Sequence, residues 1–171
     1  LKKEIDAINL VVKNKKEPVT CIIGGSKISS KINVITSLIE KVNNLIIVGA
    51  MANNFFIYKN YKVGKSLIEE NTKEIIKKIY EKANKNKCKI LIPEDCMVGS
   101  SFDGYGINKD LNAIKDNDII LDIGPKTILN IKDIIDQSNT VLWNGPAGYF
   151  ENENFMIGTM SIAENISKNT V

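Results

Sequence analysis

Short apolar runs without alternation recur along the chain, and most are followed by a stretch whose apolar residues repeat every three or four positions. The runs are Val19-Thr20-Cys21-Ile22-Ile23, Leu45-Ile46-Ile47-Val48, Lys89-Ile90-Leu91-Ile92, Ile119-Ile120-Leu121-Asp122 and Val141-Leu142-Trp143. Their length and continuous hydrophobicity predict strands buried on both faces. Between them, Ile28, Ile32, Ile35, Leu38, Ile39 and Val42 fall on one helical face, as do Ile75, Ile76, Ile79 and Ala83, and then Ile128, Ile131 and Ile135. Asn71, with Glu74 after it, reads as the cap that opens the second of these helices. Further helices are expected over Leu1 to about Lys15, Met51 to Tyr58, and Asn154 to Ser167, whereas Met97 to Lys115 reads as loop.

Five buried strands alternating with helices predict an α/β fold: a doubly wound parallel sheet with helices on both faces, a Rossmann-like three-layer sandwich. No linker or repeat divides residues 1–171, so a single domain is expected. The chain begins without Met, and we expect it to be cut from a longer one.

Composition narrows the chemistry. The formal charge of +3 is small, but all 23 basic residues are lysine, and there is no arginine or histidine. Bidentate arginine readout of bases is therefore absent, which argues against sequence-specific nucleic-acid binding. Imidazole acid–base catalysis and histidine-ligated metal sites are excluded. A phosphate ligand would have to be held by lysine, backbone N–H groups and helix N-termini. Cys21, Cys88 and Cys96 lack metal-ligand spacing and point to reduced thiols and a cytoplasmic protein. No apolar run is long enough to span a bilayer.

Four of the five strands end in glycine, at Gly24-Gly25, Gly49, Gly124 and Gly145. In an open parallel sheet these ends share one edge, where such folds bind ligands, and glycine there allows close backbone approach. The first carries Gly24-Gly25-Ser26-Lys27-Ile28-Ser29-Ser30-Lys31, which places two lysines four apart at a helix start, either as an anion clamp or as a solvated pair. Trp143-Asn144-Gly145-Pro146-Ala147-Gly148-Tyr149-Phe150-Glu151 leaves the last strand through a glycine–proline turn and presents Glu151. That carboxylate is able to take ribose hydroxyls, or simply to favour a helix start. Gly64-Lys65-Ser66 lacks the earlier glycine of a P-loop, and no acid closes the second strand as a dinucleotide fingerprint requires.

These motifs resemble phosphoglycerate kinase. The glycine–lysine segment at Gly24 to Lys31, Val48-Gly49-Ala50-Met51-Ala52, Val63-Gly64-Lys65-Ser66-Leu67, Leu121-Asp122-Ile123-Gly124-Pro125 and Trp143 to Glu151 are similar to five of the family's signatures, in the family's order. The resemblance implies phosphoryl exchange between 1,3-bisphosphoglycerate and ADP, giving 3-phosphoglycerate and ATP, with Mg2+. It implies two doubly wound domains in a monomeric parent. This chain would be most of the nucleotide-binding one, its first 15 residues an interdomain helix, and the sugar-phosphate substrate would be held by the other domain. Position by position, Lys27 and Lys31 would meet the nucleotide phosphates, with Lys27 the catalytic group that follows the transferring phosphoryl. Gly49, Ala50, Leu67, Phe102 and Leu121 would form the base slot, Asn144 and Ala147 would border phosphates and sugar, Glu151 would hold the ribose, and Gly25 and Gly145 would also belong to the nucleotide site. The family has glycine where Ala50 stands. A chain of this extent would bind nucleotide without turning over. A non-catalytic nucleotide module and a dinucleotide-dependent oxidoreductase are the competing readings.

Overall fold

The computed structural model describes residues 15–169. The helix expected over Leu1 to Lys15 lies, apart from Lys15, outside them. Four parallel strands form the central sheet in the order β3-β2-β1-β7, with β1 at Val19–Ile23, β2 at Asn44–Ile47, β3 at Lys89–Leu91 and β7 at Thr140–Asn144. Cys21 of β1 pairs with Leu45 on one side and Leu142 on the other.

Helices cover both faces because β1 buries residues of both parities. Val19, Cys21 and Ile23 point toward α1 (Ile28–Ile39), α2 (Ala52–Tyr58) and α3 (Lys73–Lys85), whose Ile35, Leu38, Phe55 and Ile79 complete the larger core. Ile22 points the other way, into a second core with Ile131 of α4 (Pro125–Asp136) and Ile162 of α5 (Ile157–Lys168). The α/β fold is thus the one expected, built around two apolar layers that the unalternating strands require.

Three expectations need correction. The stretch read as loop from Met97 contains β4 (Asp95–Gly99) and β5 (Ile107–Asp110). The run at Ile119, here β6 (Ile119–Ile123), does not join the parallel sheet; it pairs antiparallel with β4 in a separate sheet ordered β5-β4-β6. A continuous apolar run reports burial on both faces, and β6 has it, since Ile120 packs on one core and Ile123 on the other. It does not report the partner strand. Finally, Asn71 has a positive φ of 58° and sits in the turn before α3, and Thr72 precedes the first helical residue without capping it through its side chain.

Candidate ligand cleft

The ends of β1, β2 and β7 meet backbone against backbone. Gly24 N–H donates to Asn144 O at 2.8 Å, Gly49 N–H to Ala147 O at 3.1 Å, and Met51 N–H to Gly25 O at 2.9 Å. A Cβ at Gly24 would lie 2.0 Å from Pro146 O, and one at Gly49 would lie 2.8 Å from Gly25 N. These glycines serve first to let three loops pack on one another, a closer constraint than the ligand approach expected of them. Gly124 stands apart: it follows β6 and its Cα faces the Asp95 carboxylate at the start of α4. The shared edge therefore holds three of the four glycine-ended strands.

Beta1 is flanked by β2, reached directly after it, and by β7, which arrives last, so the strand order reverses there. Ligands of open α/β sheets bind at such a switch point. A cleft of about 340 Å³ opens at this place. Eight of the twelve residues expected in a nucleotide site line it: Gly25, Gly49, Ala50, Leu67, Phe102, Leu121, Ala147 and Glu151. Lys27, Lys31, Asn144 and Gly145 are outside the lining. Two of these are nonetheless joined, since Lys31 Nζ donates to Asn144 Oδ1 at 3.0 Å.

The lysine spacing is not the helical pair expected. Alpha1 begins at Ile28, and Lys27 is its N-cap in an extended conformation, φ −119° and ψ 113°. Lys27 is exposed and Lys31 half-buried. The start of α1 receives a carboxylate from elsewhere: Ser29 N–H donates to Glu69 Oε2 at 3.1 Å. The Ser29 hydrogen bonds hold the Glu69 carboxyl below its ordinary range, with Lys27 adding a smaller effect. Glu69 ends the loop that brings Leu67 to the cleft. That loop is fixed by Ser66, whose Oγ accepts from Ile120 N–H at 2.8 Å, and by Asn53, which donates to Leu67 O at 2.9 Å. Gly64-Lys65-Ser66 is accordingly a brace for the cleft, consistent with its rejection as a P-loop.

At the mouth, the rings of Phe102 and Tyr149 meet edge to face with centroids 5.1 Å apart. Asn152 Nδ2 ties the Phe102 loop to this wall by donating to Phe102 O at 2.8 Å. Cys96 lines the floor, and burial, with Asp95 and Asp122 nearby, pushes its thiol upward, so it packs rather than reacts. Asp122, in the same lining, is 2% exposed, and burial lifts its carboxyl to about 7 against the pull of N–H donors at Gly158 and Ile123. Glu69, Asp122 and Tyr149 were not anticipated. Asp122 and Tyr149 lie inside quoted motifs and Glu69 two residues beyond one, but nothing local in the sequence marks a carboxylate that caps a distant helix.

No group of three His, Cys, Asp or Glu side chains able to hold a metal occurs among the described residues. The cleft's buried carboxylate is already engaged by backbone N–H groups. The described residues do not form a resident Mg2+ site. Among the described residues no helix is long and apolar enough to cross a membrane.

Fold and cleft together define a doubly wound α/β architecture with a cleft at its switch point and a lysine beside the strand-end loops. The family model for phosphoglycerate kinase matches residues 1–171. The chain is 44% identical over 168 residues to a phosphoglycerate kinase of Wolbachia pipientis wMel, covering 98% of this chain and 42% of that protein. It is 39% identical to one from Bartonella quintana, with 98% and 43% covered. The structure of phosphoglycerate kinase from Coxiella burnetii superposes with a TM-score of 0.91 at 34% identity, over 99% of this chain and 44% of that one. The chain belongs to the phosphoglycerate kinase family and spans less than half the length of these relatives.

Proposed function

We propose that the chain is the nucleotide-binding domain of a cytoplasmic phosphoglycerate kinase and that its cleft takes ADP and ATP. The observation that carries this is the convergence of Gly25, Gly49, Ala50, Leu67, Phe102, Leu121, Ala147 and Glu151 on one cleft at the sheet's switch point. The largely apolar lining suits a purine between Ala50, Leu67 and Leu121, with Glu151 toward the ribose. The diphosphate then runs toward Lys27 and the Lys31–Asn144 pair at the start of α1.

In the parent kinase a terminal oxygen of ADP attacks the phosphorus of the acyl phosphate, the P–O bond to the carboxyl group breaks, and the carboxylate of 3-phosphoglycerate leaves. No nucleophilic side chain is required. Charge neutralisation and alignment carry the rate, with Lys27 following the migrating group and Lys31 holding the stationary phosphates. Magnesium enters as the counter-ion of the nucleotide substrate. The acyl phosphate is held by a second domain of the parent, and the present chain binds nucleotide without turning it over.

Calorimetric titration of the chain with MgADP tests this. Saturable one-to-one binding, competed by ATP and not by NADH, is expected. Absence of binding up to millimolar ADP would remove the assignment, and tighter binding of NADH would favour an oxidoreductase.

A further inference from the structure

The cleft wall from Ala147 to Glu151 is a loop without regular structure until Glu153, yet it carries Ala147, assigned to the phosphates and sugar, and Glu151, assigned to the ribose. Its rigidity has to come from what it rests on. Tyr149 N–H donates to Leu121 O, and Ala147 N–H donates to Thr159 Oγ at 3.0 Å. Between these ties lies the Asp122 carboxylate. Its Oδ1 accepts from Ile123 N–H at 2.8 Å and its Oδ2 from Gly158 N–H, in the first turn of α5, at 2.7 Å. A Cβ at Gly148 would stand 2.4 Å from Oδ1, and one at Gly158 would stand 2.3 Å from it. The two glycines thus close on one carboxylate oxygen from the wall and from the helix.

We propose that Asp122 is a positioning residue of the nucleotide cleft: its carboxylate locks the Ala147–Glu151 wall between β6 and α5, acting on the ribose through that wall. This rests on reading the cleft as a nucleotide site. The ionised group accepts strongly through both oxygens. A proton turns one of them into a hydroxyl, a poorer acceptor, and weakens its tie to the N–H donor. The titratable groups on the elements packed against it are Cys96 and Asp95 on β4, Tyr149 and Glu151 in the wall, and Glu164 and Lys168 on α5; of these, Cys96 interacts with the Asp122 carboxylate. Because burial places Asp122 near 7, the lock should engage as pH rises through neutrality.

Adenosine is the probe of choice, since it has no phosphate to titrate. Its affinity for the chain, followed by ligand-observed NMR, should rise between pH 6 and pH 8. At pH 8, Asp122→Asn should weaken adenosine about tenfold, as the loss of one charge-assisted bond predicts, abolish the pH slope, and leave inorganic pyrophosphate within about twofold. Unchanged adenosine binding in Asp122→Asn, or parallel losses for adenosine and pyrophosphate, would overturn the proposal. Should the variant fail to fold, the wild-type slope decides: a flat adenosine profile from pH 6 to pH 8 overturns the lock while ADP binding still supports the site. A chain that binds no nucleotide at any pH removes both readings.

Discussion

Lys31, one turn into the helix after β1, hydrogen-bonds Asn144, the last residue of β7, across 113 positions of sequence. The contact bridges the two strands whose ends frame the switch point, and it holds a lysine ammonium at the mouth of the loops that a polyanion would approach. Lys27, outside the helix and exposed, is the more mobile partner in that reading.

Replacing Lys31 with Ala should therefore weaken ADP binding by about 1.5–3 kcal/mol, the worth of a charge-assisted contact. Lys27→Ala should lose less affinity in the chain and more of the turnover rate in the parent kinase, because its contact strengthens as charge moves. Lys41→Ala, after the far end of the same helix, should change binding by less than about 0.5 kcal/mol. Titration calorimetry and steady-state kinetics read the difference; three indistinguishable variants would return Lys27 and Lys31 to the status of solvated surface charges.

Gly24→Ala places a methyl 2.0 Å from Pro146 O, a backbone atom that cannot swing aside. A loss of stability of at least about 3 kcal/mol is expected, together with loss of ADP binding. Gly104→Ala meets the Ser101 hydroxyl at 3.1 Å and its carbonyl oxygen at 3.4 Å, and should melt close to wild type. Thermal melts of both variants check the contrast.

Asp95 is fully buried and accepts from Thr127 N–H at 2.9 Å, Thr127 Oγ at 2.8 Å and Lys126 N–H at 3.1 Å, closing the start of α4. Asp95→Ala strands these donors and should cost about 3 kcal/mol or more. Asp95→Asn, which keeps one acceptor, should cost less. Equal urea midpoints for wild type and Asp95→Ala would contradict the role.

Stability should also depend on pH through Asp122. Its folded pKa, about 7, lies above the ordinary 3.8, so between these values the folded chain binds a proton that the unfolded chain releases. Stability attributable to this group is full below about 4 and declines as pH rises to about 7, by on the order of 4 kcal/mol in total. Asp122→Asn should flatten that decline in urea melts taken from pH 5 to pH 8. An unchanged slope would show that the carboxylate is not buried in solution. The charge that costs stability is the same one proposed to order the wall.

Beta7 pairs with β1 on one side, and among the described residues its other edge has no strand partner. Trp143 is 37% exposed there, and Ile157 and Met160 of α5 are 54% and 55% exposed. Open edges with apolar neighbours recruit further strands, so the chain should self-associate at high concentration. Sedimentation velocity over a hundredfold concentration range checks this; a constant monomer would show the edge to be inert.

Much of this was readable from residue patterns, and the failures share a cause. Strand positions and helix faces follow from local periodicity, and β1, β2, β7, α1 and α4 lie where Val19, Leu45, Val141, Ile28 and Ile131 predict. Of the residues expected in a nucleotide site, those beside glycine turns, Gly25, Gly49, Ala50 and Ala147, are found together in the cleft lining. Beta6 was assigned to the wrong sheet because Ile119 to Ile123 bury both faces in either sheet. Beta4 and β5 were missed because Gly99, Gly104 and Gly106 outweighed the short apolar signal of Cys96 to Val98. The caps failed most completely. The first turns of α1, α4 and α5 donate to the carboxylates of Glu69, Asp95 and Asp122, and each acceptor is remote in sequence from the helix it closes. Pairings of that kind are fixed by tertiary packing, which no window of neighbouring residues encodes.

The placement of β7 beside β1 also governs when the cleft comes into being. Val19 pairs with Thr140 and Ile23 with Asn144, so the centre of the sheet lacks one neighbour until some 120 residues more have been made. At about 5–20 residues per second on the ribosome, that gap lasts roughly 6–24 s. Throughout it the earlier strands and α1 to α3 can assemble, while the β7 side of β1 stays bare to solvent. The cleft thus forms only after β7 has been made, and a ligand bound in it cannot guide the earlier steps of folding.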